Sequence, residues 1–295
     1  MKRIKIIGAR PYEHVRTLCN ELKEDTRAEA AVEAAGYLAD FLPDRCVLVP
    51  VPGHGGRAEH TKRLAEAVKN ISAQRFPDKK TIVANILSSN VHPSLCAVKR
   101  AGLNPDDIKI QMCITGKRER MLIREYARDG YVIVLIDNVI DTGKTVRAAM
   151  SPFPCDCDIV VMAVGDTGRA NVPENAVIVI RNDWYWGHTS LVNLAGGFAS
   201  VKISVEEDAP TVAYISDLVV HPSRQRNGLG NELLTHALFE ALNMGALTAT
   251  LDTYPDNWLP EWYFRHGFKR ESITNTGLVR MKCDLKNIFK DIYKP

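Results

Sequence analysis

The stretch Tyr131-Val-Ile-Val-Leu-Ile-Asp-Asn-Val-Ile-Asp-Thr-Gly-Lys-Thr145 constrains this chain more than any other. Val132 to Ile136 is an unbroken apolar run closed by two polar residues, the pattern of a strand buried on both faces. Asp141-Thr142-Gly143-Lys144-Thr145 follows with a tight glycine turn, hydroxyls and backbone amides ahead of a helical pattern. Such a turn suits a phosphate at a helix N-terminus. Asp137 and Asn138, at the carboxyl end of the strand, are placed to accept hydrogen bonds from a sugar diol. Phosphate and diol together describe a ribose 5-phosphate. Gly143-Lys144-Thr145 also matches the end of a P-loop, but a P-loop carries a glycine where Asn138 stands, and the Asp137 carboxylate would face the phosphates.

A second cradle lies upstream. Cys46 to Val51 predicts a buried strand running into Pro52-Gly53-His54-Gly55-Gly56-Arg57, where Gly55 and Arg57 are candidate anion contacts before a helix from Glu59 to Ile71. The Ile140-to-Thr145 segment resembles the phosphoribosyl-diphosphate (PRPP) motif of type I phosphoribosyltransferases, most closely the hypoxanthine-guanine branch. Val49-Pro-Val-Pro52 resembles the diphosphate loop of the competence-protein type. The resemblance implies that Asp137 and Asn138 hold the ribose hydroxyls, that Asp137 meets Mg²⁺, and that Thr142, Gly143, Lys144 and Thr145 hold the 5-phosphate. It also implies that Asp141 exchanges a proton with a purine, and that Lys99 and Arg100, in a polar irregular segment, close over PRPP. Asn138 departs from the family's usual acid.

The 295 residues suggest two domains, and 45% hydrophobic with 25% charged residues is ordinary for a soluble globular chain. A net charge of +3 without a basic stripe demands no nucleic acid, and no apolar run is long enough to span a membrane. Seven cysteines without framework spacing suit a reducing cytoplasm, with Cys155 and Cys157 as small buried residues.

Along the first part, strands are predicted at Ile4–Gly8, Thr81–Leu87, Ile108–Ile114, Ile159–Val164 and Ala176–Ile180. Helices are predicted from Tyr12 to Leu42 in two pieces, with Asp25-Thr26 capping between them, and over Lys117–Arg128. This alternation predicts a parallel α/β sheet over residues 1–183. Trp184-Tyr185-Trp186 marks a change of composition and is read as packing. Phe198–Glu206 and Thr211–Val220 then read as antiparallel strands, in a second domain over residues 184–295 with a mixed sheet.

The strand ending Val219-Val220-His221-Pro222 leads into Gln225-Arg226-Asn227-Gly228-Leu229-Gly230 and a helix from Asn231 to Met244. Glycines there let a backbone approach a diphosphate while amides and helix dipole face it. The stretch resembles the acetyl-CoA signature of the GNAT N-acetyltransferases, and Tyr263-Phe-Arg-His-Gly-Phe268 resembles the family's Tyr-x-x-x-Gly-Phe motif. The resemblance implies that Val220 and the amides of Gln225 to Asn231 hold acetyl-CoA and that Tyr263 is the general acid for the CoA thiolate. Asp217 or a water chain would be the base. The segment before this signature is too short for the family's N-terminal strand and two helices, and Pro260 stands where a helix former is usual.

These features predict a bifunctional transferase: PRPP-dependent phosphoribosyl transfer to or from a nucleobase-like substrate, and acetylation of an amine. The alternative keeps the acetyltransferase and makes the first domain a sensor or scaffold that binds PRPP or a nucleotide. Small-molecule substrates are expected, and the sequence admits a homodimer.

Overall fold

The computed structural model describes residues 4–154, 157–168, 176–184 and 187–289. The chain divides into two compact units, Met1–Ala176 and Val177–Pro295, a little before the break the sequence suggests.

In the first unit, β1 (Ile4–Pro11), β2 (Arg45–Pro50), β3 (Lys80–Val83), β6 (Val132–Ile140) and β7 (Ile159–Asp166) form a parallel sheet in the order β3-β2-β6-β7-β1. The apolar runs make its centre: Val47, Leu48, Ile133, Leu135 and Val161 are fully buried. Two short strands, β4 (Leu87–Ser89) and β5 (Met112–Ile114), pair separately as an antiparallel ribbon. Helix α1 (Tyr12–Glu24) buries Val15, Leu18, Cys19 and Leu22, the spacing of one helical face. α2 (Ala30–Leu38) and α3 (Glu59–Arg75) pack into the same core, and α3 buries Leu64, Ala65 and Val68. α4 (Leu95–Arg100), α5 (Lys117–Arg128) and α6 (Lys144–Met150) complete the unit. Gly8 in β1 is required by packing, because a Cβ there would lie 2.4 Å from the Cβ of Asp166 in β7.

Several expectations are corrected. Asp25 does cap between the two helices, at the C-terminus of α1 in the left-handed conformation (φ 56°), which Asp tolerates, while Glu29 precedes α2. Thr81–Leu87 is not one strand, because the Ala84 amide makes the last bond to β2, at the Leu48 carbonyl, and the Ile86 amide then folds back on the Ala84 carbonyl at 3.0 Å before β4. Only Met112–Ile114 of the Ile108–Ile114 run is a strand. Lys99 and Arg100 belong to a helix rather than an irregular segment, because burial of Val98 anchors α4. Cys157 is buried as expected, while Cys155 lies outside the described residues.

In the second unit, β8 (Ala176–Trp184), β9 (Gly187–Leu194), β10 (Ala199–Glu206) and β11 (Val212–Val220) form an antiparallel meander. Helix α7 (Leu229–Asn243) crosses to β12 (Thr248–Thr253), which runs parallel to β11. After α8 (Leu259–Arg265), β13 (Lys269–Ile273) and β14 (Val279–Asp284) add to the far side of β12, before α9 (Leu285–Ile288). Alternate residues Val201, Ile203, Val205, Ala213 and Ile215 meet Leu233, Leu234, Ala237 and Leu238 of α7 in the core. The segment before β11 holds strands, β9 among them unforeseen. Pro260 sits in the first turn of α8, where its missing N–H has no intrahelical acceptor. The packing expected of Trp184-Tyr185-Trp186 falls on side chains outside the described residues.

Candidate functional site

Two sites emerge, one in each unit. In the first unit, β2 is followed outward to β3 and β6 is followed in the opposite sense to β7, so the topological switch point falls between β2 and β6. Ligands of open α/β sheets bind outside the carboxyl ends at such a point. A cleft of about 790 Å³ opens there, lined among others by Pro52, Gly53 and His54 after β2 and by Asp137 to Thr145 around the end of β6. All seven residues singled out between Asp137 and Thr145 are thus brought together. Gly55 and Arg57 are not among the lining residues; both are exposed. Gly53 and His54 stand in that place.

Asp137 is 7% exposed, and its Oδ1 accepts the Asn138 amide at 2.8 Å. Burial pushes its pKa up to about 6, against the pull of the Asn138 amide and Lys23. Cys19 of α1 donates to the Asn138 carbonyl at 3.5 Å, and burial raises its thiol to about 12. Gly143 adopts φ 74° to start α6, a left-handed conformation that glycine takes without strain. Asp141 is ion-paired with Lys99 through Oδ2 and accepts the Thr167 hydroxyl at 3.0 Å through Oδ1. Lys144 Nζ donates to the Pro105 carbonyl at 2.8 Å. The chain between β4 and β5 therefore reaches the phosphate-type loop at two points. His60, which the sequence reading passed over, also lines the cleft; burial first, then Lys23 and Arg63, lowers it to about 4.

In the second unit, the parallel ladder between β11 and β12 covers only Val212–Tyr214 and Thr248–Thr250. Both strands continue, to Val220 and Thr253, with their facing edges unpaired. A bulge helps turn β11 away: its register against β10 shifts between Ser216 and Val219, with Asp217 at φ 52°. Thr253 is 4% exposed and its Oγ1 finds no hydrogen-bond partner among the described residues. The loop after β11 is held by the Gln225 side chain, which donates to the Val220 carbonyl at 2.9 Å. Arg226 (φ 63°) and Gly228 (φ 81°) bend it into the start of α7, where the Leu229 and Gly230 amides precede any intrahelical acceptor. A Cβ on Gly228 would meet nothing within 4 Å, so the left-handed φ, and not packing, is what favours glycine there.

The structure corrects one member of this cradle. The Asn231 amide bonds to the Gly228 carbonyl at 3.0 Å, because it already lies within the helical turn. Its side chain instead accepts Nε1–H of Trp262 at 3.0 Å. Tyr263 is buried against Phe268, ring centroids 5.6 Å apart, and burial pushes its pKa up to about 12. Three further residues went unmarked in the sequence. Arg280 clamps Asp252 with two bonds of 2.8 Å and holds that carboxyl below its ordinary value, and Tyr214 donates to Asp252 at 3.2 Å. Only their alternation on adjacent strands could have signalled the cluster.

The comparisons bear on the second unit. The model described as the acetyltransferase (GNAT) family matches residues 174–268. No curated protein matches. Among solved structures, the ribosomal-protein-S18-alanine N-acetyltransferase from Escherichia coli is 23% identical over 35% of this chain and 72% of its own, with TM-score 0.29. An aminoglycoside 6′-N-acetyltransferase complexed with coenzyme A is 16% identical over 36% and 75%, with TM-score 0.30. The PaiA N-acetyltransferase from Thermoplasma acidophilum, in complex with coenzyme A, is 18% identical over 32% and 59%, with TM-score 0.28. Likeness of this degree speaks to neither substrate nor mechanism. The glycine loop before α7, the parting strands and the Tyr263–Phe268 pair all fall within that matched span, and residues 174–268 carry an acetyltransferase domain of the GNAT family.

Proposed function

We propose that this protein is an acetyl-CoA-dependent N-acetyltransferase whose first unit binds a ribose 5-phosphate diphosphate. The observation that carries the first half is the glycine loop opening α7 directly after the parted edge of β11. Amides of Gln225 to Gly230 hold the coenzyme diphosphate, with Val220 at the entrance. The pantetheine arm, which contains two amides, lies between β11 and β12 and takes the hydrogen bonds that their edges do not give each other. The amine nitrogen attacks the thioester carbonyl, the C–S bond breaks, and the amine proton leaves to Asp217 or to water. Tyr263, with its pKa near 12, stays protonated, and a thiolate of ordinary pKa is too weak a base to take that proton fully. Its hydroxyl therefore supports the leaving sulfur as a hydrogen-bond donor. Acetyl-CoA titration of wild type and Gly228→Val tests the reading: absent binding in wild type, or equal binding by both, rejects it.

The first-unit reading is supported by the cleft at the switch point, whose lining includes Asp137 and Asn138, which would hold the diol, Thr142 to Thr145, which would hold the 5-phosphate, and Lys99, ion-paired with Asp141. Among the described residues no group of three or more His, Cys, Asp or Glu could hold a metal alone. Mg²⁺ usually enters on phosphates with one or two carboxylates, and Asp137 would be that carboxylate here. Mg²⁺ would supply charge to the diphosphate. If this unit is a transferase acting on a purine, Asp141→Asn keeps PRPP affinity and loses turnover; if it is a sensor, no nucleobase releases diphosphate from PRPP. Measuring diphosphate release against a nucleobase panel separates the two.

A further inference from the structure

The loop at Gln225 to Gly230 accounts for the diphosphate of a coenzyme but for none of its adenosine. Directly beside it stands an aromatic platform. Trp262 is fixed by its bond to Asn231, and a Cβ on Gly230 would come within 3.8 Å of its Cζ2. Trp258, one turn earlier, meets Trp262 with centroids 6.1 Å apart at 73°, yet is 67% exposed. Trp262 is enclosed by further ring contacts with Tyr263 and His266, whereas the edge-to-face contact covers at most one face of the Trp258 indole and leaves the other to solvent. Exposed large aromatics in a group, bordering a polar anion-binding loop, mark a binding surface.

We propose that Trp258, backed by Trp262, stacks the adenine ring of acetyl-CoA, so that the domain selects the full coenzyme over its phosphopantetheine portion. This rests on the diphosphate reading above. Every base presents a π-face, and one stacked aromatic contributes on the order of tenfold in affinity. Calorimetric titration of the full chain with coenzyme A and with 4′-phosphopantetheine provides the test. Trp258→Ala weakens coenzyme A by about 10-fold and leaves phosphopantetheine unchanged, whereas Trp258→Phe, which keeps a ring, retains most of the difference. A Trp258→Ala protein that loses both ligands equally, or neither, overturns the stacking role while leaving the diphosphate reading intact. A wild-type protein that binds neither ligand overturns both.

Discussion

At the scale of single residues, Asp137 is the most instructive. Its pKa, raised by burial from 3.8 to about 6, means the folded state holds this proton more tightly than the unfolded chain. Its contribution to stability is fully present below about 3.8 and is lost as pH rises through about 6. At pH 7 the buried charge therefore opposes folding, and Asp137→Asn, which keeps the acceptor for the Asn138 amide, is expected to stabilise the apo protein by about 1–2 kcal/mol. Urea denaturation of the two proteins should show that gain shrinking between pH 7 and pH 5, while the variant loses affinity for PRPP. Equal stabilities at both pH values would remove the charge argument. Tyr263→Phe tests a buried hydroxyl in the second unit. As a hydrogen-bond donor to a thiolate it should be worth about 10- to 100-fold in acetyl transfer, with coenzyme affinity kept. A loss towards 10⁴-fold would instead mark full proton transfer.

At the scale of elements, Gly228 shows how local conformation serves a site. Gly228→Val would strain a residue at φ 81° and so distort the turn that presents the amides before α7. Loss of acetyl-CoA binding is expected, with the PRPP site unaffected, as parallel titrations can read. Motifs that join a strand to a helix were legible in the chain, because apolar run, glycine turn and helical period agree within a few residues at Val132–Val146 and at Leu218–Leu238. Elements whose limits are set from outside were not. Leu87 continues an apolar run, yet β4 pairs with β5 and not with β3. Asp217 gives no local sign that the strand bulges there; the mismatch with β10 decides it. The Asp252–Arg280–Tyr214 cluster likewise depends on β12 lying between β11 and β14.

At the scale of the molecule, each unit has its own core and its own candidate site, and no helix among the described residues is long and apolar enough to cross a membrane. Hydrogen exchange with each ligand should therefore protect amides within one unit: acetyl-CoA between Val212 and Thr253, a ribose 5-phosphate diphosphate near Pro50–Thr61 and Val132–Val146. Protection in the other unit would reassign the ligand. The parted edges of β11 and β12 carry a further consequence. A sheet with a seam is incomplete as a solid until something bridges it, and acetyl-CoA would be that bridge. At a hundred times its Kd the coenzyme would add about 2.7 kcal/mol to the second unit. Limited proteolysis of the second unit would then slow as coenzyme is added, with or without its acetyl group.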